Sequence, residues 1–265
     1  MLTKLRRMCL ISLCWRAHPD FELVLAANRD EFHHRPTAAA GWWADAPEVF
    51  GGRDLSQGGG WLAASRRRRV AAVTNVRRMV PPDPQAPSRG ALVADFMRNT
   101  QSAAEFAKRL RSRAQAYAGF NLLLYDGETL LYATNQDGFR SERLSPGVHA
   151  VSNAALDTPW PKLLHLRATL QQWCAQRRRD EDSLFDALAD ERIAADSELP
   201  DTGVGVDLER RLSPAFIRGP HYGTRASSVI ALDTPGALHF SERRFGPNGA
   251  SAGQSQAHFM TTTHD

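Results

Sequence analysis

The sequence has few cysteines and no long apolar run, and both scarcities limit what the protein can be. Its 265 residues include three cysteines, Cys9, Cys14 and Cys174, and no CxxC pair. Three dispersed cysteines make neither a disulfide framework nor a zinc site, and they favour a reducing, cytoplasmic location. No apolar stretch approaches the ~20 residues that a membrane-spanning helix needs, so we expect no stable membrane insertion.

Signatures of nucleotide and nucleic-acid binding are also missing. The run Gly58–Gly60 is not part of a GxxxxGK[ST] motif, and no GxGxxG follows a predicted strand. The basic runs Arg66–Arg69 and Arg177–Arg179 are not interleaved with aromatic residues, as a platform for single-stranded nucleic acid would be. We therefore expect no nucleic-acid partner and interpret Arg66–Arg69 as a solvated hairpin tip.

The net charge of +4 depends on where translation starts. Met8 is a second possible start, because MCLISLCW opens a strand-like run. A start at Met8 removes Lys4, Arg6 and Arg7, and the net charge falls to +1. The apparent basicity is then weak support for an acidic partner. We interpret residues 1–7 as a non-native or extra extension, and the choice between Met1 and Met8 stays open.

Strand signals open and close the chain, and helical signals lie between them. The apolar runs 10–15 and 21–27 flank a His-Pro-Asp turn and predict a hairpin. Ser88 and Ser102 are expected to begin two helices, and Asp126-Gly127 marks a second hairpin.

The order of these signals predicts one domain. No strand–helix–strand alternation runs through the chain, which argues against a doubly wound parallel sheet. We predict an α+β domain with mainly antiparallel sheets over residues 8–245. The Gly-, Ser-, Thr- and His-rich residues 246–265 are predicted to be a disordered tail.

Cys9 is a candidate nucleophile, because removal of Met8 would leave it as the first residue. An α-amine titrates near pH ~8, so it can act as the base for the adjacent thiol. The alternative interpretation is a small apolar residue in a strand, since free cysteines are often buried. The residue alone leaves both interpretations open.

Four polar residues, Asn28-Arg29-Asp30-Glu31, follow the strand that would pair with the Cys9 strand. Arg29 could lower the pKa of the thiol or hold a substrate carboxylate, and Asp30 could orient the α-amine. An ordinary charged turn is the alternative. Asn75 and Asn153 also follow predicted strands, and an asparagine amide could donate to an oxyanion.

Seven segments carry a family resemblance in the order MCLISLCW, LAANRDEFHHRP, GGRDLSQGGGWLA, VTNVR, FNLLLYDG, SNAALDTPWPK and YGTRASSVI. Together they resemble the NRDE family from Met8 to about Phe245. The resemblance implies four layers ordered αββα, as in the N-terminal nucleophile hydrolases. The nearest comparison is their cysteine branch, which includes penicillin V acylase and bile salt hydrolase.

That branch uses a leading cysteine, an arginine and an aspartate after the second strand, a mid-chain asparagine and a later arginine. Arg29 and Asp30 match the arginine and the aspartate in type, although their spacing differs. The resemblance thus implies the catalytic candidates Cys9, Arg29, Asp30, Asn153 and Arg225, to which the strand-end argument adds Asn75. Candidate substrate contacts are Asn28, Glu31, Trp42, Trp43 and Tyr222.

Two functions follow from the resemblance. The first is hydrolysis of a non-peptide C–N amide or related acyl bond in a small molecule, with no cofactor or metal required. The second is non-catalytic binding and trafficking of haem, or of acyl-CoA or lipid, because eukaryotic relatives are linked to haem mobilisation and to lipid homeostasis. His33 and His34 are the candidate haem contacts. Whether the protein is an enzyme stays open, as do its substrate and its oligomeric state.

Overall fold

The computed structural model describes residues 8–77 and 83–262, which form two antiparallel β-sheets with helices on their outer faces. The strands in these ranges are β1 (Met8–Trp15), β2 (Phe21–Phe32), β3 (Thr37–Trp43), β4 (Ala46–Asp54), β5 (Gly60–Ser65), β6 (Val70–Asn75), β7 (Phe120–Tyr125), β8 (Leu130–Thr134), β9 (Arg140–Arg143), β10 (Gly147–Val151), β11 (Tyr222–Asp233), β12 (Ala237–Phe245) and β13 (Ser251–Met260). The α-helices are α1 (Arg89–Arg98), α2 (Ala103–Leu110), α3 (Pro161–Ala175), α4 (Asp182–Leu188) and α5 (Val206–Leu212).

The first sheet has the strand order β10-β1-β2-β11-β12-β13, and the second runs from β3 to β9 in sequence order. β1 and β2 form the predicted hairpin, and their register places Cys9 opposite Arg29. β10 and β11 pair with the outer edges of this hairpin. The hairpin therefore lies inside the sheet and not at its edge.

Successive side chains of the central strands point to opposite faces of the sheet, so each strand contributes to two separate hydrophobic cores. Ile11 and Leu13 of β1 face the second sheet, whereas Leu10 and Cys14 face α3 and α4. A further core, with Leu122 of β7 among its residues, lies between the second sheet and the helices α1 and α2. The layers are ordered αββα, which confirms the predicted α+β, mainly antiparallel fold.

Local sequence signals account for the first two helix starts. The Ser88 side chain accepts a hydrogen bond from the Gly90 amide at the start of α1. Ser102 and Glu105 form a reciprocal capping box at the start of α2. Both arrangements satisfy amide groups that have no partner inside the helix.

Three expectations need correction. β2 continues through Phe32, so the four polar residues after Ala27 lie inside a buried strand and not after it. Residues 251–260 form β13, which pairs with β12, so the prediction of a disordered tail over 246–265 is wrong for that segment. Arg69, predicted to be solvated, is buried with its guanidinium over the ring of Phe96.

The extension 1–7 lies outside the described residues. Within the ranges that the structure covers, no helix is both long and apolar enough to cross a membrane.

Candidate active site

Cys9 is the second residue of β1, and its thiol lies in the core between the two sheets. Arg29 stands directly opposite it on β2. The backbone of Asp30 also acts on the thiol and lowers its pKa. β2 therefore places a cation and a polar backbone group beside the candidate nucleophile.

With Met8 still attached, Cys9 is a poor nucleophile. Burial raises the pKa of its thiol to about 12, and the negative charge of Asp30 contributes to the rise. The positive charge of Arg29 acts in the opposite direction but does not offset burial. The thiol is therefore protonated near neutral pH, and activation needs a further basic or cationic group close to the sulfur.

The segment Asn28–Glu31 alternates between the two faces of the first sheet, as strand geometry requires. The amide of Asn28 donates to two backbone carbonyls in the helical layer, so this side chain holds β2 against the helices. Arg29 and Glu31 face the second sheet, with Nη2 and Oε2 3.8 Å apart. Nη1 of Arg29 is buried without a hydrogen-bond partner among the described residues. Arg29 and Glu31 thus share a face with Cys9, and Arg29 is the one directly opposite it.

Asp30 faces the helical layer and is fully buried. Its Oδ1 accepts a hydrogen bond of 2.7 Å from the Thr224 hydroxyl, and its Oδ2 has no partner in the described ranges. Burial raises the pKa of Asp30 to about 6, although the nearby charge of Lys162 lowers it. The carboxylate is ionised at neutral pH and is placed beside the first residues of β1.

Lys162 is a component that the sequence analysis missed. It is the second residue of α3, it is buried, and its Nζ donates to the Leu212 carbonyl at 2.8 Å. A buried cation at a helix N-terminus is unfavourable, because both desolvation and the helix dipole oppose it. Burial lowers its pKa to about 8, and the charge of Asp30 acts against that shift. The available signal was a lysine directly after Pro161, where a helix start favours acidic residues.

The ends of β6 and β10 meet beside Cys9. The Ser152 hydroxyl donates to the Cys9 carbonyl at 2.7 Å. The Asn153 side-chain amide donates to the Asn75 carbonyl at 2.8 Å, and the Asn153 carbonyl accepts from the Arg77 amide. The two predicted oxyanion donors, Asn75 and Asn153, are therefore brought together at the strand end next to the nucleophile.

Met8 closes this end of the first sheet. Its side chain is buried against Leu212, Ile217 and Tyr222. Its N–H donates to the Tyr222 hydroxyl at 2.9 Å, and Arg77 Nη2 donates to its sulfur at 2.8 Å. Tyr222, predicted as a substrate contact, is therefore at the candidate site.

Neither predicted tryptophan is placed beside Cys9. Trp43 packs in the core between the second sheet and its helices, on the opposite face of that sheet from Cys9. Strand register places Trp42 level with the start of β6, whereas Asn75 is at its end. Trp43 is therefore a core residue, and Trp42 lies far from the strand ends beside Cys9. Neither is placed to contact a substrate at Cys9.

The remaining predicted residues support the end of β2. Arg225 Nη1 donates to the carbonyls of Phe32 and Arg35 at 3.1 and 2.9 Å. His33 Nε2 lies 3.1 Å from the Gly219 carbonyl, and the His34 ring packs on Phe32. In the ranges that are described, no group of His, Cys, Asp and Glu side chains is arranged to hold a metal ion.

The backbone is similar to those of two solved hydrolases. A Caenorhabditis elegans N-acylethanolamine-hydrolyzing acid amidase (NAAA) ortholog matches with a TM-score of 0.52 and 10% identity, over 84% of this chain and 92% of that chain. A mutant conjugated bile acid hydrolase from Clostridium perfringens matches with a TM-score of 0.51 and 9% identity, over 95% of this chain and 92% of that chain. This likeness shows that the fold is that of the N-terminal nucleophile hydrolases.

Sequence comparison shows the family to which the chain belongs. Residues 8–247 match the family Transport and Golgi organisation 2. The Transport and Golgi organization protein 2 homolog of Bos taurus is 33% identical, over 97% of this chain and 98% of its own length. The Homo sapiens homolog is 33% identical, over 89% of this chain and 92% of its own length. The chain therefore belongs to the Transport and Golgi organisation 2 family, which confirms the resemblance carried by the motifs.

Proposed function

We propose that the chain, once Cys9 is its first residue, is a cysteine amidohydrolase that cleaves a non-peptide C–N amide or related acyl bond of a small molecule. The observation that carries the proposal is the pairing of Cys9 with Arg29, which sets a buried cation opposite the thiol. The hydrolase fold supports it, since the two structural neighbours are themselves named as hydrolases.

The α-amine of Cys9 takes the proton of its own thiol and leaves a thiolate beside Arg29. The thiolate attacks the carbonyl carbon, a C–S bond forms, and the carbonyl π electrons move to the oxygen. The ionised carboxylate of Asp30 orients the α-ammonium. In this proposal the side-chain amides of Asn75 and Asn153, which belong to the strand ends next to Cys9, stabilise the oxyanion.

The tetrahedral intermediate collapses when the C–N bond breaks, and the leaving amine takes the proton from the α-ammonium. The thioester on Cys9 is then hydrolysed: the α-amine removes a proton from water, the hydroxide oxygen forms a C–O bond with the thioester carbonyl carbon, and the C–S bond breaks as that tetrahedral intermediate collapses. The acid is released, and the Cys9 thiolate takes the proton back from the α-ammonium. Every proton passes through the α-amine, so this route requires no cofactor.

The test compares two forms of the protein. One is produced with a leader that is cleaved directly before Cys9, and the other retains Met8. Both are incubated with a panel of N-acyl amides, and the released amine is quantified. We expect turnover from the first form alone, and a loss of at least ~10³-fold on Cys9→Ala.

Cys14→Ala is the matched control, because Cys14 lies on the opposite face of β1 from Cys9. We expect it to keep turnover within a few-fold. Equal amine release by the Cys9→Ala variant, or by the form that retains Met8, would contradict the proposal. Haem cargo, with His33 and His34 as its contacts, stays a prediction. Titration with haemin would test it.

A further inference from the structure

The Met8 side chain fills a small niche next to Cys9, on the helical face of the first sheet. Its apolar walls are Leu212 from α5, Ile217, and Tyr222 at the start of β11. Its polar groups are the Tyr222 hydroxyl, which accepts the Met8 N–H, and Arg77, which donates to the Met8 sulfur. The niche therefore holds the α-nitrogen, the unbranched side chain and the thioether of Met8.

In chemical terms, Met8 is an acyl group on the nitrogen of Cys9. A thioester intermediate is an acyl group on the sulfur of the same residue. Transfer between that nitrogen and that sulfur passes through a small ring, so the two acyl positions are close in space. The Cys9 thiol faces the second sheet and the Met8 side chain faces the helical layer, so an acyl chain on the sulfur reaches the niche around the end of β1 that loss of Met8 leaves open.

We propose that this niche is the acyl pocket of the processed enzyme, and that it takes amides of N-acylated α-amino acids with an unbranched apolar side chain about as long as methionine. This inference rests on the proposed function and names its substrate class. Loss of Met8 both exposes the nucleophile and empties the pocket.

The charges around the niche favour a neutral side chain over an acidic one. Arg77 forms an ion pair with Glu209, and both side chains are buried. Lys162 and Asp30 are likewise close enough for each charge to shift the pKa of the other. The cations are therefore already balanced, and a substrate carboxylate would displace an existing partner.

An outer pocket gives the rest of the ligand a place. It has a volume of about 260 Å³ and is lined by Leu212, Ile217 and Tyr222, the same three residues that wall the niche. The acyl substituent on the ligand nitrogen extends from the Tyr222 hydroxyl towards this pocket.

The test uses chloromethyl ketones on protein that begins at Cys9. The thiolate displaces chloride, a C–S bond forms, and labelling is followed by intact mass. The probes are the N-acetyl derivatives of methionine, norleucine and valine, and an alkyl chloromethyl ketone of norleucine length without the amide. Each labelling rate is divided by the rate of the same probe with a free thiol in solution. On this scale we expect the methionine and norleucine derivatives to label Cys9 at least about 10-fold faster than the other two probes.

Two variants separate the contacts. Tyr222→Phe removes the acceptor, so we expect it to cancel the advantage of the acetylamino group and to keep the preference for norleucine over valine. Leu212→Ala lengthens the niche, so we expect the optimum to move to a longer side chain. Leu164→Ala, at an exposed position of α3, is the control and should leave the pattern unchanged.

Iodoacetamide labelling separates failure of this inference from failure of the proposed function. Normal iodoacetamide labelling of Cys9, with equal rates or no labelling for the four ketones, would overturn the niche assignment and leave the nucleophile intact. Absence of iodoacetamide labelling from a verified Cys9 terminus would overturn both.

Discussion

Asp30 and Lys162 are two buried ionisable residues whose charges are balanced mainly by each other. Burial moves the pKa of Asp30 up, to about 6, and that of Lys162 down, to about 8. Each shift means that keeping a charge there costs free energy, and such shifts cluster at functional sites. At pH 7 both groups still carry charge, so the site holds a fixed carboxylate next to the Cys9 terminus.

The pH dependence of stability should reveal the buried Asp30. Its folded pKa, about 6, lies above the ordinary 3.8. Folding therefore favours the protonated form, and the resulting stabilisation is full below pH ~4 and is lost as the pH rises through ~6. Asparagine does not ionise, so the variant escapes this loss. As the pH rises between those limits, we expect the free energy of unfolding of Asp30→Asn to gain on the order of 3 kcal/mol relative to that of the parent, measured by urea unfolding.

Asp137→Asn is the matched control for this experiment, because Asp137 is exposed in a turn. Its unfolding free energy should follow the parent curve. A parallel curve for Asp30→Asn would show that the carboxyl is solvated in the folded state.

Cys9 reactivity should depend on the residue before it. In the form that retains Met8, alkylation by iodoacetamide should be slow at pH 7 and rise as the pH approaches about 12, because burial holds the thiol protonated. In the form that begins at Cys9, the α-amine should bring the reaction into the neutral range. Peptide mass mapping after timed alkylation measures both. Identical pH profiles would contradict this.

At the residue scale, sequence reasoning correctly paired the Cys9 strand with the strand that holds Asn28–Glu31, because the hairpin is local and its turn is recognisable. It missed Lys162, whose burial depends on α5, a segment that the chain reaches 44 residues later. The alternation of Asn28–Glu31 between two faces also required knowledge that β2 continues, and four polar residues in succession argue against a buried strand.

At the element scale, the run Gly58–Gly60 is where the chain before β5 meets α1. A Cβ at Gly59 would lie 2.4 Å from the carbonyl carbon of Gly90, so the two backbones touch. We expect Gly59→Ala to destabilise by about 2 kcal/mol or more, because α1 would have to move. Gly41→Ala, whose Cβ would have no neighbour within 3.8 Å, should be near neutral. Chemical denaturation compares them, and equal losses would refute the close approach.

β10 is attached to the segment before α3 through Asp157. Its Oδ1 accepts from the Ala150 amide and its Oδ2 from His149 Nδ1, both at 2.8 Å. This contact raises the pKa of His149, so its stabilisation is present at low pH and is lost as the pH rises through the raised value. Asp157→Asn should therefore cost more stability at pH 5 than at pH 9, as thermal unfolding would show. A pH-independent loss would mean that the imidazole stays neutral.

Elements with local signals were predicted, and those that depend on a neighbour were not. The starts of α1 and α2 followed from the caps Ser88 and Ser102. β13 is polar and largely exposed, and it becomes a strand because β12 offers a free edge and because Phe259 anchors it in the core between the sheets. Composition alone predicts disorder for such a segment.

At the scale of the whole molecule, the layer order came from the family resemblance, because strand order is a long-range property. β10 pairs with β1 across more than 130 residues, and this pairing brings the Ser152 hydroxyl to the Cys9 carbonyl. The site is complete only when both sheets have formed. No local pattern can predict that Asn75 from one sheet and Asn153 beyond the other will meet.

Because Met8 belongs to the packing at the site, its loss should affect the stability of the entire fold. Removal of the chain through Met8 deletes a buried side chain and its hydrogen bond to Tyr222. We expect the free energy of unfolding to fall by about 2–4 kcal/mol relative to the form that retains Met8, measured by urea unfolding.

Met8→Leu in the longer form conserves volume and should cost less than about 1.5 kcal/mol. N-acetylmethioninamide should recover part of the loss in the shorter form alone, because it fills the emptied niche. Equal stability of the two forms would mean that the fold closes over the vacated space, which would leave no acyl pocket beside Cys9.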